Sequence, residues 1–410
     1  MNTFLLLILI VIFGFLSFHF INQKLQKRLL YLTGLEFLFI GIFIGEPFIN
    51  FLNGIFNIKL PILLDSEGLL QLKPIIATIL GAVGFSVGLQ FRIKELFNYS
   101  IEHFKLAVND IILTIISMSG LSFFLMYYLF QNILSIENII TNSLIIGISA
   151  STFSNGVLES IQSKFEVSGT NFNTLQRISK INNFLAITFL GLMFTIFHKG
   201  QTSGIHITPV EWFVLNIVLG LIIGFLFFVF LEREENENKL LVALLGIIIF
   251  SSGTAYYMNF SPLFLNLLAG FVIGNVIKSK DILVSVFKKL EHPFYVIILI
   301  YAGAIIRIDN FWIFFAGLFL YILIRVVIKY FNGWLSYHSC FDKNKFSPRI
   351  GLGLNTQGII AITMMVNFQQ VYDNPLTNTL FAVIITAVLI NEILSTKLTK
   401  DLLIDLSEIK

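Results

Sequence analysis

Thirteen apolar stretches, each long enough or nearly long enough to cross a bilayer, divide the 410-residue chain from end to end. A bilayer core takes about 20 apolar residues of helix. The stretches are 4–21, 29–49, 70–90, 105–130, 138–160, 176–197, 209–231, 239–257, 262–277, 293–307, 310–331, 349–368 and 376–395. The short ones, 262–277 and 293–307, are expected to be tilted or broken. Most gaps between them are under 20 residues, which leaves no room for a soluble domain. Only 12% of residues are charged, about half the share of a soluble domain, so a cytosolic enzyme and a disordered chain are excluded. A net charge of +3 gives no footprint for nucleic acid. Cys340 is the only cysteine and the six histidines never fall three to five apart, so no disulfide and no metal-ligand spacing is present. No cofactor is expected.

The placement of basic residues orients the chain. Of 27 Lys and Arg residues, only Lys59, Lys73, Lys199 and Arg307 fall on one side of a thirteen-span arrangement. The other 23 fall on the opposite side, which the positive-inside rule makes cytoplasmic. The N-terminus is then outside and the C-terminus inside, in a bacterial inner membrane. Residues 4–20 are apolar, but their basic residues (Lys24, Lys27, Arg28) follow rather than precede them. That is the reverse of a secretory signal, so a retained first span is expected. After Ser395 only 15 residues remain, read as a short cytoplasmic tail.

Two spans are too polar for lipid. The fifth contains Gly147, Ser149, Ser151, Thr152, Ser154, Asn155 and Gly156; the twelfth contains Gly351, Gly353, Asn355, Thr356, Gln357 and Gly358. Glycine weakens a helix, and hydroxyl and amide side chains compete for its backbone. An opened backbone at membrane depth must line a cavity or be buried in protein. The two segments run in opposite senses, each between two regular spans. That is the sequence pattern of inverted repeats with two crossing, interrupted helices around a transporter's midplane site. Small-residue helix packing is the plainer alternative.

Six segments, in order, resemble the monovalent cation:proton antiporter superfamily, most closely its second branch with Kef-type and sodium/proton antiporters. They are Gly41-Ile-Phe-Ile-Gly45-Glu-Pro47, Val83-Gly-Phe-Ser-Val-Gly88-Leu89, Ala150-Ser151-Thr152, Leu268-Ala269-Gly270-Phe-Val-Ile-Gly274-Asn275, Ala302-Gly303 and Thr356-Gln357-Gly358. The resemblance implies an all-α, polytopic membrane protein of about 13 helices. It implies a scaffold (1–98 and 206–308) that forms a homodimer and an ion-translocating core (104–197 and 310–395), followed by the tail 396–410. It also implies an ion-site pair on the sixth span, commonly Asp-Asp, Gln-Asp or Asn-Asp, and a basic residue facing it from the eleventh.

Here that pair reads Asn182-Asn183. An amide offers oxygen to a cation but cannot release a proton. The glutamate that often follows the second crossing glycines is also replaced, because Ile359 and Ile360 follow Gly358. Ser151, Thr152, Asn155, Thr356 and Gln357 are the candidate ligands on the crossing helices. Arg325 and Lys329, four apart, share one helix face. Spacing to Gln357 favours Lys329 as the basic partner and depth favours Arg325, with Lys329 alternatively at the cytoplasmic rim. With amides at the pair, the basic residue is expected to face no counter-charge there. Asp110 and Glu36 are the acids deep enough to substitute. Glu46, Glu159, Asp309 and Glu392 lie near span ends, where charges reach the interface.

The sequence therefore reads as a secondary transporter of Na⁺ or K⁺ with proton coupling in doubt. Its partners are a monovalent cation, a proton and the lipid bilayer. The alternative is an ion-binding or sensing protein that keeps the fold without turnover. An intramembrane enzyme is the weakest reading, because no catalytic motif is present.

Overall fold

Twelve of the thirteen apolar stretches become helical segments in the computed structural model, which describes Ile8 and residues 35–409 apart from 58, 63, 98, 168, 200–206, 233–235, 278–279 and 340–346. The first stretch, 4–21, lies almost entirely outside the described residues. The helices are α1 (Leu35–Ile44), α2 (Glu46–Phe56), α3 (Ser66–Gln90), α4 (Ile101–Phe130), α5 (Ile136–Ser151), α6 (Asn155–Lys164) and α7 (Thr170–Ile196). They continue as α8 (Pro209–Leu231), α9 (Glu237–Tyr257), α10 (Pro262–Val276), α11 (Lys280–Ala304) and α12 (Phe311–His338). A 3₁₀ segment (Ile350–Asn355) precedes α13 (Ile359–Val371) and α14 (Thr377–Asp405). Among the described residues, eight segments are long and apolar enough to cross a membrane, counting Ile136–Lys164 as one.

Helix starts follow ordinary capping chemistry. Thr208 and Glu211 form a capping box before Pro209 at the head of α8, and Ser261 caps α10 ahead of Pro262. Asn310 Oδ1 accepts from the Trp312 and Ile313 amides to start α12. Far along the chain, the Glu408 carboxylate accepts from the Asn171 and Phe172 amides at the head of α7, tying the C-terminal tail to it.

The glycine-rich motifs of the third and ninth spans make one seam. A Cβ on Gly84 would lie 2.0 Å from the Leu263 carbonyl oxygen, and one on Gly270 would lie 2.3 Å from that of Phe85. Only glycine lets α3 and α10 approach backbone to backbone. Asn275 then accepts from the Ile93 amide and donates to the Phe91 carbonyl, holding the chain where it leaves α3. In the other half, α4 packs on α5, α7 and α12, while α14 lies against α12, α13 and the 3₁₀ segment.

Candidate functional site

Both polar spans are broken where their composition predicts. The fifth opens at Thr152–Ser154 between α5 and α6, and the twelfth at Thr356–Gly358 between the 3₁₀ segment and α13. The openings touch. Thr356 Oγ1 donates to the Ser154 carbonyl at 3.4 Å, and Gln357 Nε2 donates to the Ser149 carbonyl at 2.9 Å. A Cβ on Gly358 would meet Ser154 Oγ at 2.5 Å, so only glycine fits between the two breaks. Gln357 is further held by Tyr321 Oη at 2.9 Å and by Asn391 Nδ2, which donates to its Oε1 at 3.0 Å.

Two cations gather the carbonyl ends of the broken helices. Arg325 Nε donates to the Ala150 carbonyl at 2.9 Å, and Nη1 donates to the Asn355 carbonyl at 2.7 Å and to its Oδ1 at 2.8 Å. Nη2 reaches the Thr152 carbonyl at 3.2 Å and that of Thr356 at 3.3 Å. The guanidinium thus bridges both breaks with its rigid fork. Lys329, one turn along α12, donates to the Ser151 carbonyl at 3.3 Å and to Asp110 Oδ2 at 2.6 Å. Helix C-termini carry partial negative charge, which both cations offset.

Asp110, on α4, is the carboxylate of this centre. It and Lys329 are both 0% exposed. Asn182 Nδ2 donates to Asp110 Oδ2 at 2.8 Å, and Asn332 Nδ2 donates to Oδ1 at 3.2 Å and to Thr114 Oγ1 at 3.1 Å. Asn182 Oδ1 is buried and has no hydrogen-bond partner.

Asn183, the next residue on α7, faces elsewhere. Its Oδ1 accepts from the Phe153 amide inside the first break at 3.1 Å, and its side chain lines a cavity of about 570 Å³. Ser154, Asn155 and Gly358 also line it, as do Glu159, Glu291 and Glu392. Asn155 Oδ1 accepts from Ser179 at 2.9 Å. The cavity shares Gln90, Glu159, Lys180 and Lys288 with a polar vestibule that adds Arg92 and Arg177, so it continues toward a basic end of the molecule. A separate cavity of about 1060 Å³, lined by Glu46, Lys73, Arg307 and Asp309, lies at the opposite end of α3.

These positions bear on three expectations. Lys329 is not at a rim but fully buried, and both it and Arg325 face the crossing. The basic partner does not lack a counter-charge, because α4 supplies Asp110 where the amide pair on α7 does not. Glu159 and Glu392 line the cavity, Glu392 half-buried and Glu159 exposed where the cavity opens into the vestibule. Glu36 stands half-buried on α1, close enough to Glu392 for their charges to interact. Sequence reasoning missed Asn332, Thr114, Tyr321 and Asn391. A signal existed for two of them: Arg325, Lys329 and Asn332 recur at helical spacing on one face, as do Asp110 and Thr114.

Two interrupted helices meeting back to back, with buried charge at their breaks and a polar-lined cavity toward either end, define a secondary transporter. The sodium/hydrogen exchanger transmembrane family matches residues 5–399, and the chain belongs to that family. It is accordingly a transporter of the monovalent cation:proton antiporter class. The structure resembles that of the sodium proton antiporter MjNhaP1 from Methanocaldococcus jannaschii at pH 8, with a TM-score of 0.67 and 18% identity over 98% of this chain and 100% of that one. A three-dimensional electron-microscopy map of MjNhaP1 gives 0.65 and 17% over 98% and 96%. No curated protein matches the sequence.

Proposed function

We propose that this protein exchanges a monovalent cation for a proton at Asp110 and Lys329, and not at the usual acidic pair of the sixth span. The observation that carries the reading is the fully buried 2.6 Å ion pair, with the unpartnered Asn182 Oδ1 beside it. A carboxylate and an adjacent amide oxygen are the hard oxygen donors a dehydrated cation requires. A cation arriving at Asp110 takes over the charge that the ammonium had balanced. An unpaired ammonium in a buried site is costly, and loss of its proton removes the cost. One positive charge enters and one leaves, so the site's net charge is unchanged. Asn182 and Asn183 are consecutive, one touching Asp110 and the other lining the cavity, and they mark the way in.

The core (104–197 and 310–395) carries every residue of this centre and moves against the scaffold (1–98 and 206–308), which we assign as the homodimer surface. The positive-inside rule puts the basic end of the cavity in the cytoplasm, with the C-terminus inside and the N-terminus outside. The test is cation-induced collapse of an imposed pH gradient in proteoliposomes, with Na⁺, K⁺ and Li⁺ in turn. Native exchange that is lost in Asp110→Asn supports the reading. Native exchange indifferent to Asp110→Asn refutes it, and ion binding without flux identifies a non-transporting protein.

A further inference from the structure

The breaks in α5–α6 and 3₁₀–α13 produce two helix N-termini as well as two C-termini. Those of α6 and α13 have no side-chain cap, and their N-cap residues, Ser154 and Gly358, are in contact. Both lie on the wall of the same cavity, together with the first residues of each helix: Asn155, Gly156, Ile359 and Ile360. Each N-terminus carries a partial charge of about +0.5, so the adjacent pair presents about one unit of positive charge. Backbone amides at such ends are ready donors to anions.

A second observation is independent of the helix ends. Asn183 is 5% exposed and lines this cavity. The Phe153 amide fixes its Oδ1, which turns the Nδ2 group away, and Nδ2 donates no hydrogen bond. A buried amide donor thus stands on the cavity wall next to two uncapped helix starts. Glu159, Glu291 and Glu392 line the same cavity, and of these Glu291 is held by donors outside the helix starts. Asn155 Nδ2 reaches Glu159 at 3.5 Å, Glu291 Oε1 accepts from Ser86 and Tyr295, and Glu392 lies close enough to the Glu36 carboxylate for the two like charges to repel. Lys180 and Lys288 add positive charge on the approach.

We infer that the cavity binds a monovalent anion of the halide class at the paired N-termini of α6 and α13, held by backbone amides and Asn183 Nδ2. This site rests on the cavity's geometry and does not depend on the assignment of Asp110. Saturable binding of radiolabelled chloride to the purified full-length protein, at constant ionic strength with gluconate as replacement, tests it. The expected result is one site per chain, competed by bromide. Asn183→Asp puts a fixed carboxylate among the donors and weakens binding at least about tenfold. Asn183→Leu keeps the side chain's bulk without the donor and weakens it severalfold. Asp110→Asn retains the site even where cation exchange is lost, which separates this inference from the proposed function. Absence of saturable binding to the native protein overturns the inference. So does native-like chloride affinity in Asn183→Asp, or loss of binding only on Lys288→Gln, which would move the anion to the vestibule.

Discussion

Replacing Lys329 by methionine isolates the charge at the centre of the crossing. Three side chains donate to the Asp110 carboxylate: Lys329 at 2.6 Å, Asn182 at 2.8 Å and Asn332 at 3.2 Å. Lys329→Met leaves two neutral amides, which satisfy hydrogen bonds but not charge. Breaking a fully buried ion pair at one partner costs about 3–5 kcal/mol, because the survivor stays buried and unpaired. In Asp110→Asn combined with Lys329→Met no uncompensated charge remains. The loss is then closer to that of one or two hydrogen bonds, about 1–2 kcal/mol. The double variant is therefore expected to be more stable than Lys329→Met, by about 1–4 kcal/mol. Thermal unfolding in detergent, followed by the monodisperse fraction on size exclusion, gives the order native, double, single. A double variant no more stable than Lys329→Met would show that Asp110 and Lys329 are not coupled as a charge pair. The reasoning from burial would then fail.

Arg325→Lys substitutes three donors for the five contacts that bridge the breaks; at about 1–3 kcal/mol per stranded buried acceptor, it should unfold well below the native temperature. Gly84→Ala drives a methyl into the Leu263 carbonyl and should lower the melting temperature and the yield of folded protein, whereas Gly54→Ala, with nothing within 4 Å, should match native. Glu408→Ala removes the carboxylate that caps α7 from the tail, and a loss of about 1–2 kcal/mol should appear as faster proteolysis of the C-terminal segment.

How much of this centre the sequence discloses depends on whether the signal is local. Glycines and amides concentrated in two spans of opposite sense predict the breaks, because the cost of opening a backbone in lipid is a local property. The span series is legible for the same reason, since hydropathy is read one window at a time. Pairing across helices is not. Asp110 lies 219 positions from Lys329, and its depth in α4 is compatible with either a buried partner or an interfacial charge. Nothing in the sequence around Asp110 names α12 as its neighbour. The amide pair on α7 offers the basic residue no counter-charge, and the sequence leaves Asp110 as one of two acids deep enough to supply it. Glu159 is legible as a residue near a span end, but not as one that lines the cavity, because that follows from α6 being a half-helix that starts inside the protein.

The charges of the crossing also have an order that bears on how a cation could be admitted. Two helix C-termini contribute about one negative charge together, and Asp110 contributes another. Arg325 and Lys329 balance both, so the buried side of the crossing is close to neutral. The two N-termini on the cavity side have about one positive charge, to which Asn183 adds no carboxylate, although Glu159, Glu291 and Glu392 line the same cavity. A cation approaching Asp110 by way of Asn183 passes that positive potential. Phe37, Phe153 and Leu299 line the cavity alongside its polar and charged side chains, so such a potential is screened less than in bulk water. An acid at position 183 would cancel it permanently and would also compete for the cation. An exchangeable anion cancels it without a covalent charge that must itself be neutralised by a proton. On this account, Asn183 separates two tasks: Asp110 and Lys329 exchange the cation against the proton, and an anion at the N-termini sets whether a cation can come near. Cation exchange should then depend on the accompanying anion, faster in chloride than in gluconate. Asn183→Asp should remove that dependence while leaving exchange sensitive to Asp110.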